Sequence, residues 1–178
     1  MKKLVFCLLI VLNFLCAHAV QLNSVYTLRP DDPEAFYFTP DNYPGITADG
    51  RTDVSEQLQA AINDLKRTRN FGILFIPEGT YTLSRTIYIP PAIRLIGYGK
   101  KRPEFVLAPN SPGFQQEVSA DKGKAAYMFW FTGNMVEPGG EPRDANAGTF
   151  YSAMSNINLR IADGNPHAVA LRTHFAQH

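Results

Sequence analysis

The sequence predicts an all-β fold built as a solenoid and opened by a single amphipathic helix. Apolar runs with a two-residue period begin after Gly72, and they recur over 20 residues from Ile73 to Ile93 and over 19 residues from Ile87 to Val106. Intervals of roughly 20–25 residues are typical of stacked repeats. The 13 Gly and 13 Pro indicate many turns and argue against a helical bundle. An antiparallel sandwich remains open as the alternative on this pattern alone.

The first 19 residues have the features of a secretory leader. A positively charged start precedes an apolar run over 4–17, and Ala17 and Ala19 fit the small residues of a signal peptidase site. A helix of this run would span about 21 Å, which is too short for a hydrocarbon core of about 30 Å. We therefore expect a signal peptide at 1–19, a secreted or periplasmic protein, and no membrane segment after cleavage.

Charge and cysteine content exclude several classes of function. Lys plus Arg number 17 and Asp plus Glu number 16, so the chain lacks the basic surface that a nucleic-acid partner requires. Both cysteines, Cys7 and Cys16, lie in the expected leader. The mature chain therefore offers neither a disulfide framework nor a thiolate site. We expect no cofactor and no metal site, and the sequence does not indicate an oligomeric state.

An extended arm and a helix precede the strands. The arm over 20–47 is rich in Pro, Asp and aromatic residues, and we expect one short strand at 35–38. A helix at 54–68 follows, because its apolar residues recur on one helical face. Asp53 is expected as the N-cap, with Glu56 three residues later completing a capping box.

Strand-like runs and turn residues alternate over the rest of the chain. No Asn-Gly dipeptide of the kind that closes a tight hairpin joins these runs, which favours a chain that bends and continues into the next coil. Two polar stretches, 110–124 and 137–148, are expected as loops. The expected strands are 73–76, 81–83, 86–89, 93–96, 105–107, 127–131, 157–161 and 168–171.

Five motifs in a fixed order carry a family likeness. They begin at Asp49 (DGRTD), Leu58 (LQAAI), Phe75 (FIPEGTY), Thr86 (TIYIP) and Leu95 (LIGYG). This order resembles the start of the pectate lyase superfamily domain of pectin-lyase-like proteins. Relatives of that domain include rhamnogalacturonase- and polygalacturonase-related glycoside hydrolases and the family 55 glucanases. The likeness is close over 48–99 and looser over the rest of the chain.

The resemblance implies a fold and a class of function. The implied fold is a right-handed parallel β-helix over 48–178, with its capping helix at 54–68 and its first coils from 72. Such proteins generally run longer, so we expect this chain to be the N-terminal portion of a larger protein. The implied function is a secreted glycoside hydrolase acting on a plant or algal cell-wall polysaccharide. A polysaccharide lyase that works by β-elimination and a non-catalytic glycan-binding β-helix module are the alternatives.

Candidate catalytic residues are few. Hydrolysis of a glycosidic bond needs two carboxyl groups roughly 5–10 Å apart, and spacing selects no pair after Gly72. The catalytic residues therefore stay unknown, with Asp163 as the candidate because it follows the expected strand 157–161. The lyase alternative would need a carboxylate cluster for Ca²⁺ and a base such as Arg160 or Arg172.

Two residues are candidates for binding the substrate. Trp130 would stack on a sugar ring if its face of strand 127–131 lines a groove. In the competing interpretation that strand is buried on both sides beneath the 137–148 loop. Arg160 is the second candidate, because it would face outward from strand 157–161.

Overall fold

The computed structural model describes residues 23–117 and 126–175. The expected leader at 1–19 and part of the expected 110–124 loop lie outside these residues. The described part contains eleven strands and one helix. The elements are β1 (Phe36–Tyr37), β2 (Asp49–Asp53), α1 (Ser55–Arg69), β3 (Gly72–Pro77), β4 (Thr80–Leu83), β5 (Ile87–Ile89), β6 (Ile93–Tyr98), β7 (Glu104–Leu107), β8 (Tyr127–Phe131), β9 (Ala153–Ser155), β10 (Asn158–Ile161) and β11 (Val169–Arg172).

The strands form three sheets, and every strand pair within them is parallel. Sheet one has the order β1-β3-β6-β9, sheet two β10-β7-β4-β2 and sheet three β11-β8-β5. From β3 onward the chain visits sheets one, two and three in turn and then repeats. These pairings confirm a mostly-β chain of parallel sheets with one helix, and they exclude the antiparallel sandwich for the described residues.

The core lies between the sheets and is built of side chains stacked in register. In sheet two, Tyr81 pairs with Phe105, which pairs in turn with Leu159 of the next strand. In sheet three, Ile87 pairs with Phe129. The rings of Phe105 and Phe129 meet at a centroid distance of 5.2 Å, which joins the two stacks. Each fully buried large apolar side chain contributes about 1.5–3 kcal/mol, so these stacks supply much of the stability that holds the three sheets together.

Helix α1 packs its apolar face into the same core. Leu58, Ile62 and Leu65 on that face are fully buried. The helix contacts β3 and β5, and in the part of the chain that the structure describes β5 is an edge strand of sheet three. The helix thus lies beside an otherwise open sheet edge.

The expected N-cap of this helix is wrong. Val54 occupies the N-cap position, and no side chain caps it by a hydrogen bond. Asp53 instead accepts hydrogen bonds from the hydroxyl groups of Ser55 and Ser84. It therefore ties the start of the helix to the segment after β4. Glu56 pairs with Arg85 at 4.0 Å and forms no capping box.

Two strands were not expected from the sequence. β2 has no apolar alternation, and it forms because it pairs with β4 along a shifted register. The same segment also makes a local turn, since the carboxylate of Asp49 accepts from the backbone N–H groups of Arg51 and Thr52. β9 is only three residues long and is held by its register with β6.

Candidate functional site

Sheet three carries a row of large side chains in register. Tyr88 of β5 pairs with Trp130 of β8, and Trp130 pairs with Arg172 of β11. The rings of Tyr88 and Trp130 lie 6.0 Å apart, and the ring of Tyr127 meets Trp130 edge-on at 5.3 Å. Parallel pairing repeats about every 4.8 Å, so residues at equivalent positions of successive strands become neighbours on one face.

A carboxylate from the loop after β8 reaches this row. Asp144 forms an isolated bridge with Thr132, which brings the loop back against the end of β8. Its Oδ1 accepts from Trp130 Nε1 at 2.9 Å and from Arg172 Nε at 3.0 Å. Its Oδ2 accepts a second hydrogen bond from the Arg172 guanidinium. The same oxygen lies 2.9 Å from His174 Nδ1. One carboxylate thus joins an indole, a guanidinium and an imidazole.

The electrostatics of this cluster favour the ionised carboxylate. Burial raises the pKa of Asp144, but hydrogen bonds from Arg172, Trp130 and His174 outweigh it and lower the pKa to about 2. The hydrogen bonds that Arg172 donates to Asp144 raise the pKa of Arg172 in return. Arg172 is held on its other side by Tyr127, whose hydroxyl lies 2.9 Å from Nη1 and whose ring lies 5.1 Å from the guanidinium carbon.

These contacts define what each group can do chemically. Both oxygens of Asp144 accept hydrogen bonds, and three side chains contact them, so the carboxylate is a poor nucleophile. Because its pKa is lowered, it is also a poor acid. Its role is to fix Arg172 and His174. The side chain of His174 is 69% exposed. Because an ionised carboxylate only accepts hydrogen bonds, Nδ1 of His174 carries a hydrogen, which leaves Nε2 as the ring atom that can meet a ligand.

The sequence-predicted site residues do not converge in the structure. Trp130 is only 3% exposed, its indole N–H is bonded to Asp144, and the strand that carries it is buried throughout. Arg160 lies on β10 of sheet two, half-exposed and paired with Glu104 at 3.2 Å. Asp163 is exposed in the turn between β10 and β11. The structure thus places Trp130 on sheet three, Arg160 on sheet two, and Asp163 at the corner that joins them.

Sequence reasoning missed Asp144 and His174 as partners. A usable signal was present, because a buried indole N–H needs an acceptor and the expected 137–148 loop contained carboxylates that could supply one. Nothing in the local pattern selected Asp144 from the other acidic residues of that loop. The sequence indicates Arg172 only for the lyase alternative, and the structure places it in this cluster.

Neither a metal site nor a membrane span emerges from the described residues. Within 23–117 and 126–175, no group of three or more His, Cys, Asp or Glu side chains is placed to hold a metal ion. The carboxylate cluster that a Ca²⁺-dependent lyase would need is therefore not formed by these residues. The one helix of this part of the chain is neither long nor apolar enough to cross a membrane.

Comparison with known proteins gives two matches. A 53-residue stretch is 38% identical to a glucan 1,3-beta-glucosidase from Cochliobolus carbonum. The stretch covers 30% of this chain and 6% of that protein, so the chain matches only a small part of its relative. The sequence profile named rhamnogalacturonase A/epimerase, pectate lyase-like, matches residues 43–178. This match extends over most of the chain and over ten of the eleven described strands, and it shows that the chain belongs to the rhamnogalacturonase A/epimerase, pectate lyase-like family.

Proposed function

We propose that this chain is part of a secreted carbohydrate-active enzyme, and that the enzyme is a glycoside hydrolase acting on a plant or algal cell-wall polysaccharide. Family membership over 43–178 carries this proposal. The similarity to a glucan 1,3-beta-glucosidase supports it, because that protein is named for action on a glycosidic bond. The three parallel sheets support the finer fold proposal, a right-handed parallel β-helix with α1 as its N-terminal cap.

Sheet three is the face on which we place substrate contact. Tyr88 is half-buried there, and it lies in register with the Trp130 and Arg172 row. His174 stands beside that row as an exposed donor or acceptor. Sugars offer hydroxyl groups to such polar side chains and apolar C–H faces to aromatic rings.

The acid and base of the reaction are left unassigned within the described residues. Asp144 is bound by three side chains, Glu104 by Arg160, and Glu137 by Arg67. Asp163 stays the candidate carboxylate because it is exposed and follows β10. Like Glu117 and Glu141, it has no ion-pair partner within 4.0 Å among the described residues. A glycosidase needs a second carboxyl group roughly 5–10 Å from the first, and that group is left unassigned here.

Product analysis distinguishes the hydrolase from its two alternatives. The full chain, produced in a host with a secretory pathway, is incubated separately with a galacturonan, a rhamnogalacturonan and a β-1,3-glucan. New reducing ends without the ultraviolet absorbance of an unsaturated uronide mark hydrolysis. New reducing ends with that absorbance mark a lyase, and loss of activity in EDTA would then support a Ca²⁺ requirement. Binding without any new reducing ends marks a glycan-binding module and contradicts the enzyme proposal.

A further inference from the structure

A second concave surface lies away from the sheet-three row. It is a cavity of about 1070 Å³, formed where the end of α1, the start of β3, the corner before β6 and the segment before β9 meet. Cavities that bind organic ligands commonly measure about 300–1,000 Å³, so this one has room for a sizeable molecule. We call it the 71/151 groove, after Phe71 and Tyr151 in its wall.

Three aromatic rings of the 71/151 groove are unusually exposed. Phe71 is 67% exposed, Phe150 is 43% exposed and Tyr151 is 74% exposed. The rings of Phe150 and Tyr151 lie next to each other at 6.2 Å. Exposed apolar side chains gathered in one concavity mark a binding surface, whereas single scattered ones do not.

Backbone strain is concentrated in the same wall. Five described residues other than glycine have positive φ, and three of them are Asn, which tolerates that conformation. The other two are Ala92, with φ 64°, and Tyr151, with φ 61°, and both line the groove. A bulky residue persists in this conformation only where its surroundings impose it, and such strain clusters at ligand sites.

Hydrogen bonds show what imposes the strain. The N–H of Ala92 lies 3.0 Å from the carbonyl oxygen of Phe150 and 3.1 Å from the hydroxyl of Ser152, and it donates to both. Arg94 Nε donates to the carbonyl oxygen of Tyr151 at 3.2 Å. These bonds fix the backbone that carries the two rings, so the rings are presented to solvent by a preorganised wall.

The charges of the groove favour an anionic ligand. Arg69 is paired with Glu34 at 2.9 Å. Arg94 and Lys66 have no carboxylate within 4.0 Å among the described residues. Lys66 donates to the carbonyl oxygens of Asn70 and Pro91, so its ammonium group faces neutral acceptors and no carboxylate of the described residues. A ligand carboxylate beside Arg94 would supply the missing counter-charge through a planar, bidentate contact.

We propose that the 71/151 groove binds an oligosaccharide that carries carboxylate groups, as a holding site separate from the sheet-three row. Pyranose rings lay their C–H faces on Phe71 and Tyr151, and a uronate carboxylate pairs with Arg94. Asp32 and Glu34 also line the groove. Their presence disfavours a polyphosphate chain, which needs a row of cations. The ligand class follows the proposed function, whereas the site itself depends only on the cavity, the rings and the charges.

Direct binding tests this site independently of catalysis. The probe is a hexamer of galacturonic acid, titrated calorimetrically into the full chain, and the comparison probe is the same hexamer fully methyl-esterified. The acid form is expected to bind more tightly by about fivefold, the value of one exposed ion pair near 1 kcal/mol. Equal binding of the two hexamers would overturn the anionic assignment.

Matched variants locate the binding. Tyr151→Gly removes a ring and also the strain of a bulky residue at positive φ, so the protein should stay folded. Binding of the acid hexamer should weaken roughly tenfold. Arg94→Gln should abolish the preference for the acid form. Leu28→Ala and Arg51→Gln, at exposed positions outside the groove, are the controls and should bind like the parent chain.

The outcomes separate this site from the proposed function. Unchanged binding in Tyr151→Gly, or no binding of either hexamer by the parent chain, would overturn the proposal. Binding that depends on Tyr151 and Arg94 in a chain that releases no reducing ends would support the groove while the hydrolase proposal fails. Retained turnover with lost groove binding would support two separate sites.

Discussion

The side-chain amide of Gln59 makes both backbone hydrogen bonds of Tyr88. Oε1 of Gln59 accepts from the N–H of Tyr88 at 2.8 Å, and Nε2 donates to its carbonyl oxygen at 3.0 Å. Tyr88 belongs to β5, which is the edge strand of sheet three within the described residues. A helix side chain therefore makes the contacts that a further strand would make, and it blocks an edge that would otherwise be open to pairing.

Replacing Gln59 by Ala should destabilise the protein by about 1–3 kcal/mol, because two backbone groups of Tyr88 lose their partners. Chemical denaturation measures the change, and hydrogen exchange should show faster exchange at the Tyr88 amide. Glu56→Ala is the control, since the Glu56 side chain is 83% exposed in the same turn of the helix. Equal losses of unfolding free energy in the two variants would show that the Gln59 hydrogen bonds do not contribute measurably to stability.

Periodicity predicted most of the fold because most elements bury one face. Helix α1 begins and ends one residue later than the expected 54–68, and each expected strand overlaps an observed one. β2 was not predicted because the side chains of its Asp-Gly-Arg-Thr-Asp sequence are almost all exposed. The strand forms through its pairing with β4. Strands of this kind are set by neighbours distant in sequence, which a local pattern does not contain.

The candidate site was less predictable for a related reason. Trp130 and Asp144 are 14 residues apart, and Arg172 follows Asp144 by 28. Their meeting depends on the register of β8 with β11 and on the path of the intervening loop. The residue types can be read from the sequence. One of its two interpretations of strand 127–131 also predicts that this strand is buried beneath the loop. The sequence held no information on which loop carboxylate would reach the indole.

Substituting Asn for Asp144 should loosen the sheet-three cluster. The amide keeps the shape of the side chain but loses the charge that holds Arg172, and its nitrogen cannot accept. We expect a loss of about 1–2 kcal/mol in unfolding free energy, since the pair is partly exposed and screened. The imidazole signals of His174 should shift in nuclear magnetic resonance spectra. Asp31→Asn, at an exposed position of the arm, should change neither quantity.

The same carboxylate should make stability depend on pH in the acid range. The pKa of Asp144 is about 2 in the folded protein and about 3.9 in an unfolded chain, so folding favours its ionised form. Its stabilising contribution is complete above about pH 5 and is lost as pH falls from about 4 to about 2. The difference in unfolding free energy between parent and Asp144→Asn should shrink over that window. A difference that stays constant from pH 6 to pH 2.5 would contradict the assignment.

Export of the full chain should remove its first 19 residues. In a host with a secretory pathway, mass spectrometry of the exported protein should find Val20 at the N-terminus, because Ala17 and Ala19 provide the small residues that signal peptidase requires. Ala19→Arg should block this cleavage and retain the leader. Export of the unprocessed parent chain, or its retention inside the cell, would contradict the proposed secretion.

Gly97 should tolerate no larger side chain. A Cβ atom at this position of β6 would lie 2.1 Å from the carbonyl oxygen of Asn156 and 2.7 Å from the ring of Pro103. The φ angle of Gly97 is not positive, so the restriction comes from space and not from backbone conformation. Asn156 is itself fixed, because its side-chain amide donates to the carbonyl oxygen of Gly97 at 2.7 Å and to the hydroxyl of Ser24 at 2.8 Å.

We therefore expect Gly97→Ala to cost about 3 kcal/mol, at the upper end for one methyl group forced into a packed site. It should also expose the arm near Ser24 to protease, since Asn156 would have to move. Gly148→Ala is the matched control, because its Cβ would meet only the side-chain oxygen of Asn146, at 3.2 Å. Similar unfolding free energies for the two variants would mean that the turn at Asn156 can shift freely. In that case the close approach of β6 to the turn after β9 would not restrict position 97 to glycine.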